Sequence, residues 1–185
     1  MPVVVNKYPC NLEVLQAALG IIVHSEHSKC LADKWYGENS SADWAVIPIL
    51  REPVSVSHAE KIEARSRLRL NKEDYIVCSF GHIGPTKDNQ RLLDVWNESS
   101  LSQENNCQLI FVGSYNSGQA YDDKLVATIN EEKVAGIVKI TGWVDDNEYH
   151  DYLLAADCAV QLRTLSRGET SAAVLDTMNY GLPTI

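Results

Sequence analysis

The stretch that decides the fold is YIVCSFGHIGPTKDNQRLLDVWNESSLSQENNCQLIFVG, residues 75–113. Its first seven residues, YIVCSFG (75–81), form a short apolar run that reads as a buried strand. GHIGPTK (81–87) is a glycine-bearing loop. DNQRLLDVWNESSL (88–101) is a helix that turns Leu92, Leu93 and Trp96 inward. CQLIFVG (107–113) is a second apolar strand. A buried strand, a crossover helix and a second buried strand make one unit of a parallel sheet.

Working outward, the same alternation continues. DDKLVATINEEK (122–133) is helical and VKITGWV (138–144) is a strand. DNEYHDYLLAAD (146–157) is helical and CAVQLR (158–163) is a strand. A last helix runs from near Arg167 to about Asn179, with Gly181 as its stop and Pro183 preventing continuation. The expected fold is therefore α/β, a Rossmann-like doubly wound parallel sheet. Ahead of it lie a polar helix, SHAEKIEARSRLRL (57–70), basic towards its C-terminus as the helix dipole favours, and four shorter elements. These are NLEVLQAALG (11–20, helix), IIVHS (21–25, strand), EHSKCLADKWYG (26–37, helix) and WAVIPIL (44–50, a strand end holding a proline). Two short strands and two helices are too little for an independent core.

Composition narrows the function. The 25 acids exceed the 16 bases and give a net charge of −9, which disfavours a general nucleic-acid partner. The five cysteines (10, 30, 78, 107 and 158) are odd in number and form no close pair. They suggest reduced thiols and a cytosolic setting rather than a disulfide framework. No apolar run approaches the roughly 18 residues of a membrane span, and MPVVVNKYPC has no signal-peptide pattern. His24, His27 and Cys30 stand at three-residue steps, but they cross from strand to helix and number only three, so no metal site is expected.

In a doubly wound sheet, ligands bind where strand carboxyl ends meet helix starts. Two loops there carry chemistry. In 81–87, Gly81 and Gly84 let the backbone approach a ligand, and Lys87 can reach an anion held by backbone N–H groups. The spacing is not that of a P-loop, and a plain turn with a surface lysine is the alternative. In 164–171, Ser166 and Glu169 have the spacing of a capping box. Glu169 and Asp176, seven apart, would share one helix face, with Gly168, Thr170 and Ser171 beside them. Paired carboxylates suit a polyhydroxylated ligand and a helix start suits a phosphate; a solvated acidic face is the alternative. FVGSYNSG (111–118) is a strand end followed by a further, glycine- and serine-rich loop on this side, either lining a cleft or plain surface. Gly142 and Trp143 end a strand there, with the indole placed in the core or as a lid rather than as a stacking partner.

CSFGHIGPTKDNQRLLDVW, LIFVG, VKITGWV with YHDYLLAADCAVQLR, and GETSAAVLDTMNYGLPTI together resemble the C-terminal, nucleotide-sugar-binding half of GT-B-fold glycosyltransferases of the family 4 retaining type. ALGIIVHSEHSKCLADKWYG with VIPI resembles the end of the N-terminal half and the interdomain linker. The resemblance implies that residues 1–50 are a remnant of the N-terminal domain and 51–185 a donor-binding domain cut short at its C-terminal end, inactive alone. It implies a nucleotide-diphosphate sugar as donor, a glycan or lipid-linked acceptor held by the missing half, and neither metal nor cofactor. It places the protein in the cytoplasm or at a membrane periphery.

Carried over residue by residue, Lys87 matches the diphosphate-binding lysine and Asp176 the ribose-binding acid. Thr170 and Ser171 match the phosphate-facing helix start. The sequence departs at three places. His82 stands where an arginine is expected, with Arg163 or Arg167 nearby to compensate. Gly168 stands where the first acid is expected, and Glu169, the candidate contact to the transferred sugar, comes one residue late. Aspartate replaces glutamate at 176. His82 and Gly168 favour the alternative of a non-catalytic scaffold domain; a sugar-nucleotide epimerase or phosphorylase of the same fold is the other alternative.

Overall fold

The computed structural model describes residues 12–37, 43–130, 136–164 and 169–185. The chain divides into two units, Met1–Leu50 with Ser166–Ala172, and Arg51–Leu165 with Ala173–Ile185. In the first, helix α1 (Leu12–Ala17) leads to β1 (Gly20–Val23), α2 (Glu26–Tyr36) and β2 (Asp43–Val46). The two strands pair in parallel, from Gly20 opposite Asp43 to Val23 opposite Val46. Ser25 caps α2 by accepting a hydrogen bond from the Ser28 N–H, and Gly37 ends it with φ 77°. The second strand stops at Val46, two residues before Pro48, which has no N–H to give a ladder. None of the described residues of this unit is buried.

The second unit carries α3 (His58–Arg67), β3 (Tyr75–Phe80), α4 (Asn89–Glu98), β4 (Cys107–Val112), α5 (Ala120–Ile129), β5 (Val138–Ile140), α6 (Asp146–Ala155), β6 (Cys158–Ala159) and α7 (Ala172–Asn179, whose first residue falls in the first unit). The sheet order is β5-β4-β3-β6, and every pairing is parallel. Alternation along the strands serves both faces. Val77, Leu109 and Phe111 pack with Leu92, Leu93 and Trp96 of α4 and Leu125 and Ile129 of α5. Ile76, Cys78, Phe80, Ile110 and Val112 pack with Leu153 of α6, Ala173 of α7, Ala156, Ala159 and Leu182. Apolar residues at most strand positions, on both faces, are what a sheet covered on both sides requires.

The elements around 75–113 lie where the sequence places them. Others are shorter. Strand β5 ends at Ile140 because Gly142 (φ 76°) turns the chain. Beyond Ala159 the chain alternates partners: Val160 N–H donates to Cys78 O, and Gln161 N–H to Ile185 O. Helix α7 starts at Ala172, not near Arg167, with Ser171 at the position where a hydroxyl best serves first-turn N–H groups.

The amino end of the sheet is fixed by Arg65, only 4% exposed. Its Nε donates to Ala155 O, its Nη1 to Lys72 O and Asp74 O, and its Nη2 to Asp157 Oδ2. Asp157 also accepts from Ile76 N–H at 2.7 Å and from Lys61 Nζ at 2.6 Å. The basic end of α3 does more than complement the helix dipole: Arg65 is buried, and the half-exposed Arg67 pairs with Asp151 of α6. Burial works against the Asp157 charge, yet the hydrogen bonds from Lys61 and Ile76, with the charges of Lys61 and Arg65, hold its carboxyl below the usual range.

Two outcomes follow. Arg65→Met, which keeps the aliphatic stem, should cost about 3–5 kcal/mol in urea unfolding, because three carbonyls and a carboxylate lose their donor. The Asp157 carboxylate stabilises the fold above about pH 4 and ceases to do so as pH falls through its depressed value. Asp157→Asn should therefore be less stable at pH 7 and lose less of its stability on acidification, measured by melting temperature between pH 7 and 3.

Candidate functional site

The carboxyl end of β3 is where the loops of the second unit meet. Gly81 follows the strand with φ 108°, a conformation open to glycine. A Cβ built on it would lie 3.5 Å from Lys87 Nζ, so the ammonium rests against the Gly81 backbone. Lys87 closes a 3₁₀ turn, Pro85–Lys87, and Asp88 (φ 51°) separates that turn from α4. Gly84 has extended backbone (φ 173°) and open space around it, so the fold itself does not require glycine there. Its N–H donates to Oδ1 of the buried Asn89 at 3.0 Å, which fixes the loop.

The loop after β4 locks onto this one. Gly113 sits so close that a Cβ would lie 2.1 Å from Gly81 O, inside any real contact. Ile83 N–H donates to Ser114 O, and Gly113 N–H to Thr141 Oγ1 of the loop after β5. His82 bridges two side chains. Asn116 Nδ2 has only hydrogens to offer Nε2, at 3.0 Å. The other ring nitrogen, Nδ1, is hydrogen-bonded with Ser114 Oγ, also 3.0 Å away. Both ring nitrogens are engaged in joining loops. The loop after β6 joins as well: Thr164 N–H donates to Thr86 O.

Asp176 of α7 reaches the same strand end through Tyr149 of α6. The Tyr149 hydroxyl donates to Asp176 Oδ2 at 3.1 Å, and its ring stands edge-on to Phe80, the last residue of β3, at 5.5 Å. Arg51 Nε donates to the other oxygen, Oδ1. Burial, then the Asp176 charge, push the Tyr149 hydroxyl up, so it stays a donor. Arg51 and Tyr149 were not among the residues the sequence singled out: the first is 125 residues from its partner, and the helical pattern of 146–157 marks no polar contact at the second.

The other expected residues fall as follows. Arg163 lines a groove of about 430 Å³ beside α4, with Asp88, Arg91 and Val95. Ser166, Arg167 and Gly168 lie outside the described residues. Glu169, Thr170 and Ser171 are assigned to the first unit, and Lys87 and Asp176 to the second. Glu169 precedes α7, so it shares no helix face with Asp176, and the seven-residue spacing carries no geometric meaning. Trp143 is not core: it follows the Gly142 turn and is 78% exposed. His24 donates through Nδ1 to Ile47 O, and no group of three metal-ligating side chains occurs among the described residues. No helix among them is long and apolar enough to cross a membrane.

A parallel sheet covered by helices on both faces defines a Rossmann-like α/β domain. The chain belongs to the glycosyl transferases group 1 family, which it matches over residues 60–185. Solved structures agree on a GT-B fold. Sucrose-phosphate synthase from Thermosynechococcus elongatus superposes with TM-score 0.70 at 18% identity, over 97% of this chain and 43% of that one. Anabaena HepE in complex with UDP gives 0.73 at 19%, over 97% and 48%. The pneumococcal O-GlcNAc transferase GtfA in complex with UDP and GlcNAc gives 0.72 at 12%, over 97% and 32%. The chain thus spans less than half the length of each. No curated protein is similar enough in sequence to count as a relative.

The Gly81–Gly113 contact gives a direct check. Gly113→Ala must displace the backbone of the loop after β3. We expect a loss of about 1–3 kcal/mol in unfolding free energy and altered amide chemical shifts at Gly81 and His82.

Proposed function

We propose that this chain supplies the donor-binding half of a retaining glycosyltransferase of the family 4 type, moving a hexosyl group from a nucleotide-diphosphate sugar to a glycan or lipid-linked acceptor on the cytoplasmic side. The observation that carries this is the convergence at the end of β3: the Lys87 ammonium lies against Gly81, and Asp176 is linked through Tyr149 to the adjoining Phe80. A fixed cation in that place holds the diphosphate and stabilises the charge that develops on it as the sugar leaves. The carboxylate accepts ribose hydroxyls. Glu169 contacts the transferred sugar, and Thr170 and Ser171 present the α7 start to a phosphate. The cation does the work of charge neutralisation, so the chemistry needs no metal or cofactor. The UDP complexes of HepE and GtfA make UDP the first nucleotide to test.

A second reading, a non-catalytic scaffold domain, is favoured by one observation. Both nitrogens of His82 and both oxygens of Asp176 are already engaged within the protein.

Calorimetric titration with UDP-, GDP- and ADP-sugars separates the two. We expect binding to at least one donor, weakened about tenfold, or ~1.4 kcal/mol, by Lys87→Ala. Silence at millimolar concentrations of all three supports the scaffold. Unchanged affinity in the Lys87 variant removes the proposed site.

A further inference from the structure

We propose that Arg51 and Tyr149 are positioning residues that hold the Asp176 carboxylate for ribose, making the site selective for ribonucleotide over deoxyribonucleotide diphosphates. This rests on the donor-site reading above. The chemistry begins with the carboxylate, which offers about four lone-pair directions. Arg51 takes one on Oδ1 and Tyr149 one on Oδ2. Each oxygen keeps a second, and two adjacent hydroxyls, such as those at the 2′ and 3′ positions of a ribose, can donate one hydrogen to each. The Asp176 side chain is 21% exposed, so part of it stays in reach of solvent.

Both donors are themselves held. Tyr149 is wedged edge-on against the buried Phe80, so its hydroxyl cannot swing away from α7 without unpacking the ring. Arg51 sits in the segment leading to α3, and that segment is tied to α7 a second time, one turn on, where Asn179 Nδ2 donates to Glu52 O at 2.9 Å. Two fixed donors, one per oxygen, define the plane of the carboxylate. An unsupported aspartate is free to turn about its two torsions, and part of its affinity would be spent on ordering it. A salt bridge placed only to stiffen the linker needs no tyrosine on the opposite oxygen.

The full chain is titrated by calorimetry with UDP and with 2′,3′-dideoxy-UDP, which lacks both hydroxyls. The wild type is expected to prefer UDP at least tenfold. Tyr149→Phe and Arg51→Met should each weaken UDP while leaving dideoxy-UDP unchanged, so that the preference falls below about threefold. Arg51→Lys, which keeps a cationic donor, should restore part of it. Thermal melts show that each variant folds, and the half-buried Arg51 position supplies the test where Tyr149→Phe does not. A wild type that binds neither nucleotide sinks the donor-site reading itself. One that binds both equally leaves donor binding standing and overturns this proposal. Variants that lose both ligands in parallel, or keep the full preference, also overturn it.

Discussion

The second unit is organised around a buried charge. Arg65 brings a guanidinium into a region where an unpaired ion is prohibitive, and every direction it points is met by a carbonyl or by Asp157. The partners come from the end of α6, the turn before β3 and the residue that opens β6. Asp157 in turn takes the first buried amide of β3, at Ile76. One ion pair therefore sets where two neighbouring strands begin relative to the helices that cover them. Strand register propagates by hydrogen bonding, so setting the start sets the end.

The other end of the sheet inherits that order. Phe80 and Val112 finish β3 and β4 opposite each other. Gly81 and Gly113 then touch, backbone to backbone. With the strands level, the loops after β3, β4 and β6 can be stitched to each other by short polar links, and the helix bearing Asp176 can reach Phe80 through a single tyrosine. The amino end supplies rigidity without chemistry, and the carboxyl end places chemistry on the rigid frame.

Residues 75–113 were legible because both faces of their strands are buried, which writes an unbroken apolar run and a clean helical face into the sequence. The family resemblance added the fold of the whole sheet. The failures have local causes. A serine and a glutamate three apart imitate a capping box wherever they occur, so 166–169 looked like a helix start that the chain makes later, at Ala172. Trp143 followed an apolar strand and was counted with it, because a positive φ at Gly142 cannot be read from the letter G alone. Arg65 looked like ordinary basic decoration at a helix end; only its contacts 90 residues away reveal otherwise. Arg51 is the extreme case, since a pair across 125 residues leaves no periodic trace.

The two faces of the sheet are filled differently. Bulky groups, Trp96, Phe111 and several leucines, separate α4 and α5 from the strands. On the opposite face, Ala156, Ala159 and Ala173 lie between or under α6 and α7. Leucine and methionine can replace one another in the first layer by repacking, but an alanine seat can only be enlarged by lifting the helix above it. Sequence drift is therefore free to accumulate under α4 and α5, whereas the layer beneath α7 acts as a shim: its thickness sets how high the Asp176 carboxylate stands above the sheet.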